Sequence, residues 1–365
     1  MITSVRKSSP KVLFDVINNA GVITLNRPEK YNALDENMID LIHDQIKDWK
    51  RNESIKLIIQ QGKGKAFCAG GDVFAMVNNA LQGDPEYAKR FMWKEYRLNY
   101  EIYKYPVPFV SLIDGITMGG GVGVSQYSRY KVATENTVWA MPEIAIGLFP
   151  DHGSSYFLNQ IDENRFGKLG LYLALTADRM TGKNLVITGL AQGFVDSKKI
   201  DRLKIELSYA ETDEDVKNIL EKSEEPSKDW LNLHNLTYFA RLSDINKHFS
   251  KHSIQEILES LKSDPSKFAQ SSFAKLASYP KSSLYVTHEQ QTRGKTLSLE
   301  EVFKMEWGIG CQMMHEKDFF EGVRAKLVDK DNAPVWVDET WDESLERYFK
   351  CADNETGDSW EIDTD

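Results

Sequence analysis

Two glycine clusters, Ala69-Gly70-Gly71-Asp72 and Gly119-Gly120-Gly121, each stand between an apolar, strand-like run and the start of a helical pattern. Glycine lets a backbone approach a ligand closely, and the first N–H groups of a helix lack intrahelical partners and sit at the positive end of its dipole. Side by side, two such loops would form a two-donor site for an oxyanion. Downstream, Met141-Pro142-Glu143 and Gly147-Leu148-Phe149-Pro150-Asp151 set two carboxylates eight residues apart among apolar neighbours. Loss of solvation lifts a carboxyl pKa towards neutrality, so Glu143 and Asp151 are candidates for base and acid work. The plain structural alternative is a turn glutamate and a helix-capping aspartate.

Other constellations carry less. Gly62-Lys63-Gly64-Lys65 lacks P-loop spacing, and Gly119 to Gly123 lacks the third glycine and the ribose-binding acid of a dinucleotide fingerprint, which disfavours a nucleotide hydrolase. His248 and His252 stand four apart on a polar segment with no third ligand at a familiar spacing, so no metal is expected. His152 adjoins Asp151 and precedes Ser154 and Ser155, but adjacent side chains usually point apart and no nucleophile elbow surrounds either serine. Cys68 reads as a small buried hydrophobe rather than a reactive thiol.

The elements that must position these residues are legible from apolar spacing. Val12 to Ile17 and Val22 to Leu25 are β-branched runs around Asn18-Asn19-Ala20-Gly21, which predicts a hairpin. Leu34, Met38, Leu41, Ile42, Ile46 and Trp49 recur at helical spacing, with Asn32 or Asp35 available as N-cap. Strand, glycine loop and helix then follow one another twice, from Leu57 and from Val107. Beyond Leu190 the chain turns lysine- and glutamate-rich with few strand signals. The expected organisation is a mixed α/β core over 1–200, a mostly helical part over 201–337 and an acidic tail over 338–365.

Composition bounds the partners. At roughly 150 residues per domain, 365 residues suggest two domains or one large domain with an appendage. From Asp338 onward eleven acidic residues face only Arg347 and Lys350, so the tail holds nine of the ten net negative charges. The nearly neutral remainder has no field to attract a phosphate backbone, and nucleic acid is not expected as a partner. No apolar run approaches the ~18 residues of a membrane span, so no membrane partner is expected either. Three scattered cysteines point to a reducing compartment. The cytoplasm is the first expectation and the mitochondrial matrix the second. The tail reads as a solvated surface feature.

The stretches Asn26 to Leu34, Phe67 to Asp72, Gly115 to Gly123 and Met141 to Glu143 resemble the crotonase (enoyl-CoA hydratase/isomerase) superfamily. Ile116 to Gly123, Ala145 to Asp151, and Asp318 to Ala325 with Asp329-Lys330-Asp331 resemble its 3-hydroxyisobutyryl-CoA hydrolase branch, and the likeness runs from about Val12 to Trp336. The resemblance implies a crotonase (ClpP-like) fold, with a superhelical core of repeated ββα units and a helical C-terminal region that often mediates self-association.

It also implies an acyl-CoA substrate whose thioester is cleaved, as in valine catabolism, with no cofactor beyond the CoA of the substrate. The carbonyl oxygen would lie between the N–H groups of Gly71 and Gly120. Glu143 would attack or activate water, Asp151 would hold the 3-hydroxyl, and Glu95 would contact the acyl group. Lys30, Ala33 and Ala69 would approach the CoA moiety. Hydratases of the superfamily use two glutamates, and the first of those positions is Gly123 here. Two alternatives are a double-bond shift through Glu143 alone and a non-catalytic partner protein. One departure from the branch is His152-Gly153-Ser154-Ser155, where a small residue and a glycine run are usual.

Overall fold

The computed structural model describes residues 9–223, 238–338, 340, 341 and 343–353. β1 (Val12–Ile17) and β2 (Ala20–Leu25) pair antiparallel, and Asn18 takes the left-handed backbone (φ 49°) that a tight hairpin turn requires. Of the two N-cap candidates for α1 (Glu36–Lys50), Asp35 does the capping, accepting from Met38 N at 3.0 Å. Asn32 instead staples its loop, accepting from Arg27 N and donating to Lys63 O and Ala66 O.

Three successive units follow: β3 (Leu57–Gly62), β4 (Ala66–Cys68) and α2 (Val73–Leu81); β5 (Phe109–Ile113), β6 (Ile116–Met118) and α4 (Gly120–Gln126); β7 (Tyr130–Ala133), β8 (Val138–Ala140) and a 3-10 turn, Glu143–Ile146. Between the first two units lies α3 (Tyr87–Lys104). The first strand of each unit joins a six-stranded sheet, β1-β2-β3-β5-β7-β10, and the second joins a four-stranded sheet, β4-β6-β8-β9. Here β9 is Met180–Thr181 and β10 is Gly193–Phe194. This is the expected ββα repeat. Because β4, β6 and β8 are parallel neighbours, the segments leaving them emerge at one edge: the two glycine clusters and Glu143.

Helices Ile200–Leu207 and Asp213–Ser223 close one face of the larger sheet, packing Leu203, Leu207, Val216 and Leu220 on Val22, Ile59, Val110 and Leu112. A second apolar cluster holds Val12 and Phe349 alike, so the change of composition near residue 200 does not interrupt the core. The tail needs a correction at its start. Leu345, Tyr348 and Phe349 are buried, Glu346 accepts from Arg293 at 2.6 Å, and the same guanidinium lies 3.9 Å over the Phe349 ring. Apolar burial outweighs the local negative charge there; residues 354–365 lie outside the described residues. Among the described residues no helix is long and apolar enough to cross a membrane.

Candidate active site

The glycine clusters meet as the sequence suggests. Leu34 N donates to Gly70 O and Asp72 N donates to Leu34 O, each at 2.8 Å, so the ladder uses the groups on either side of Gly71 N and turns that N–H away from Leu34. A methyl group on Gly120 would lie 3.0 Å from Gly71 N. Gly120 opens α4, where an N–H has no intrahelical partner. Gly119, before it, has φ 52° and ψ −124°, a backbone that excludes other L residues.

Two carboxylates close over this pair. Glu95 comes from the buried face of α3, among Phe91, Met92 and Tyr96, and its Oε1 would stand 2.5 Å from a Gly120 methyl and 3.3 Å from a Gly71 methyl. Glu143 enters from the turn after β8, and its Oε1 would stand 2.7 Å from a Gly119 methyl. Glycine at these positions therefore leaves the room that the two carboxylates occupy. Glu95 Oε1 and Glu143 Oε2 are buried with no hydrogen-bond partner among the described residues. Burial lifts both carboxyls well above their usual range, and the charge of Asp151 lifts them further.

Asp151 is the third member, and it differs in having partners. Tyr96 O–H donates to Oδ2 at 2.8 Å, and His152 Nε2 lies 3.3 Å from Oδ1. Burial raises this carboxyl too, opposed first by His152 and then by Tyr96. The expectation that Asp151 and His152 point apart is overturned. His152 has φ 56°, and this left-handed backbone swings the ring back beside its neighbour. Neither serine becomes a nucleophile: Ser154 Oγ donates to Pro150 O, and Ser155 Oγ donates to Glu306 Oε1 at 3.0 Å.

Sequence reasoning missed Tyr96, Asn99 and Glu306. Glu306, on helix Leu299–Met313, is fully buried and accepts from Gly153 N at 2.6 Å. Desolvation pushes its carboxyl up to about 8 against that hydrogen bond. Its only sequence signal is a lone carboxylate in the apolar stripe Val302, Phe303, Met305, Ile309. Cys68 is buried and its thiol is pushed up to about 12, so it packs, as expected. His248 faces Ser260 Oγ at 2.9 Å and Asp264 at 3.2 Å, far from these groups in the fold's helical part. Among the described residues no group of three or more His, Cys, Asp or Glu side chains is arranged for a metal ion.

The loop expected to meet CoA sits against the first glycine cluster. Ala69 N donates to Tyr31 O at 3.0 Å, and Arg27 ties Ala33 O (3.0 Å) to Asp72 Oδ2 (2.9 Å). Lys30 is exposed at the loop's rim.

The family model for enoyl-CoA hydratase/isomerase matches residues 20–350. The chain belongs to this family. Similar members include the mitochondrial 3-hydroxyisobutyryl-CoA hydrolase of Danio rerio, 43% identical over 92% of this chain and 87% of that protein. The Homo sapiens protein of the same name is 39% identical over 94% and 89% of the two chains. Among solved structures, a carnitinyl-CoA dehydratase from Mycobacterium thermoresistibile superposes with a TM-score of 0.86, at 31% identity, over 98% of this chain and 100% of that one. An enoyl-CoA hydratase from Rhodobacter sphaeroides 2.4.1 gives 0.83 at 28% identity, over 93% and 97%. The crotonase fold expected from the resemblance is therefore present. Within this enoyl-CoA hydratase/isomerase fold, position 123 is closed to a second glutamate: a methyl there would meet Asn99 Nδ2 at 2.7 Å and His152 Nδ1 at 2.8 Å.

Proposed function

We propose that this family member hydrolyses 3-hydroxyisobutyryl-CoA, or a closely similar 3-hydroxyacyl-CoA, to the free acid and CoA. The curated relatives bear that activity in their names. The observation that carries the proposal is the filling of position 123 by Asn99 and His152 while Glu143 faces the paired glycines. Adding water across a double bond by the two-glutamate route needs a carboxylate at 123. Thioester cleavage needs one electron-pair donor beside an oxyanion site.

In the proposed reaction the thioester oxygen accepts from Gly71 N–H and Gly120 N–H. Glu143, once deprotonated, either attacks the carbonyl carbon or takes a proton from the water that does so. The new C–O bond places a negative charge on the carbonyl oxygen between the two donors, worth about 3–4 kcal/mol per donor. Collapse breaks the C–S bond, and CoA leaves as a thiolate that takes up a proton. When Glu143 itself attacks, water then cleaves the anhydride and restores the carboxylate. Asp151 accepts the 3-hydroxyl, Glu95 borders the acyl group, and Lys30, Ala33 and Ala69 flank the CoA moiety. No metal or redox group is called for, so turnover should survive dialysis against EDTA. The relatives' names favour the mitochondrial matrix over the cytoplasm, and fractionation of cells expressing the tagged protein tests this.

The direct test is thiol release from 3-hydroxyisobutyryl-CoA, 3-hydroxypropionyl-CoA and crotonyl-CoA, with Glu143→Gln alongside. Release from the hydroxylated esters that disappears in the variant is expected. No release from any ester, with CoA still bound, would sink the proposal.

A further inference from the structure

We infer that His152 is a positioning residue for Asp151 and thereby sets the preference for acyl groups that carry a 3-hydroxyl. This rests on the proposed 3-hydroxyacyl-CoA hydrolase activity. Each Asp151 oxygen faces one side chain: Oδ2 accepts from Tyr96 O–H at 2.8 Å, and Oδ1 faces His152 Nε2 at 3.3 Å. The other ring nitrogen, Nδ1, faces Asn99 Nδ2 at 3.3 Å. An amide NH₂ can only donate, so Nδ1 is the acceptor and Nε2 carries the proton of a neutral ring. Asp151 thus accepts a hydrogen bond from Tyr96 on one side and faces the Nε2–H pole of His152, 3.3 Å away and itself held through Asn99, on the other. Two partners on opposite sides fix the carboxyl plane and leave its other lone pairs for a substrate hydroxyl.

The ring has little freedom. Its backbone carbonyl accepts from Tyr127 O–H at 2.7 Å, the Tyr96 ring meets it edge-on at 5.5 Å, and Gly123 leaves it room by having no side chain. The titratable groups around Asp151 and His152 are Glu95 and Tyr96 from α3, Glu143 from the turn after β8, Tyr127 at the end of α4, and Glu306 from helix Leu299–Met313. Burial, and then the charge of Asp151, raise the carboxyls of Glu95, Glu143 and Glu306, and the neutral His152 ring turns its Nε2, not a counter-charge, towards Oδ1.

The test compares wild type, His152→Val, His152→Gln and Asn99→Ala, measuring kcat and KM for 3-hydroxyisobutyryl-CoA and for isobutyryl-CoA between about pH 5 and 9. In His152→Val, KM for the hydroxylated ester should rise and its preference over the plain ester should fall at least about ten-fold. The acid limb of kcat/KM should move to higher pH for the hydroxylated ester alone. His152→Gln, which keeps an N–H donor, should recover most of the preference, and Asn99→Ala should lose part of it. Equal losses for both esters, or an unchanged preference and acid limb, would overturn the inference; if His152→Val does not fold, Asn99→Ala decides on the same terms. A wild type that cleaves neither ester overturns the hydrolase proposal alone, and equilibrium binding of the two esters to the same variants then decides the role of His152.

Discussion

The missing side chain of Gly123 and the imidazole of His152 occupy one another's space: a methyl on Gly123 would meet the ring's Nδ1 at 2.8 Å and Cγ at 2.9 Å. A carboxylate at 123 and a histidine at 152 are mutually exclusive in this packing. On the proposed function, a second glutamate at 123 is therefore opposed by the volume that Asn99 and His152 occupy.

Gly123→Glu alone should therefore not confer hydration. It should lower stability by about 2–4 kcal/mol, because it overpacks a buried site and adds an unpaired charge. Adding His152→Gly should restore part of the loss by opening the space. Thermal unfolding checks both, and crotonyl-CoA hydration by Gly123→Glu with an unchanged Tm would contradict the packing argument.

The neighbouring glycines should separate folding from catalysis. A Gly120 methyl meets the movable end of Glu95 at 2.5 Å, whereas a Gly121 methyl meets Cys68 O, a backbone atom, at 2.1 Å. Gly120→Ala should fold yet lose about 10²–10³ in kcat by obstructing the oxyanion site. Gly121→Ala should lose stability first. Circular dichroism with thiol-release kinetics distinguishes the two.

Glu143→Gln should abolish measurable thiol release while leaving Tm unchanged or higher. Replacing a buried carboxyl whose Oε2 has no hydrogen-bond partner among the described residues with a neutral isostere removes a desolvation cost without changing shape. A markedly lower Tm would mean that Glu143 serves the fold.

Activity should rise with pH. Burial and Asp151 hold the Glu143 carboxyl well above its usual range, so the basic form it needs accumulates only as pH passes that raised value. The acid limb of kcat/KM should therefore lie above the ordinary carboxylate range. A flat profile down to about pH 5 would contradict it.

Stability should run the other way. Burial pushes the Glu306 carboxyl up to about 8, above the ordinary carboxylate range, so the folded state binds its proton more tightly than the unfolded chain. The stability this contributes is fully present below the unfolded value and is lost as pH rises through the folded one. Tm should fall between those limits, and Glu306→Gln should make the fall shallower. Parallel slopes in calorimetry would rule out Glu306 as a contributor.

Several features needed only local chemistry. The Asn18 turn, the apolar stripe of α1, the glycines before α4, and the apolar setting of Glu143 and Asp151 depend on near neighbours and backbone sterics, so residue type and spacing determined them. The ββα order and the convergence of Gly71 with Gly120 followed from the same alternation of strand, glycine loop and helix.

Tertiary structure decided what depends on distant volume and charge. Glu306 accepts from Gly153, 153 residues away in the chain, and nothing local marks a carboxylate in an apolar stripe as the partner of that turn. The side chains of Asp151 and His152 come together only because Tyr127, Asn99 and Tyr96 hold a strained backbone from outside. Likewise Tyr348 and Phe349 sink into the core because helices Lys281–Arg293 and Leu299–Met313 leave a surface for them, although their own segment reads as solvated acid. Short-range sterics act on the few residues beside each position and are written in order along the chain. Desolvation acts on whatever the folded chain brings within a few ångströms, and that set exists only once the fold has formed.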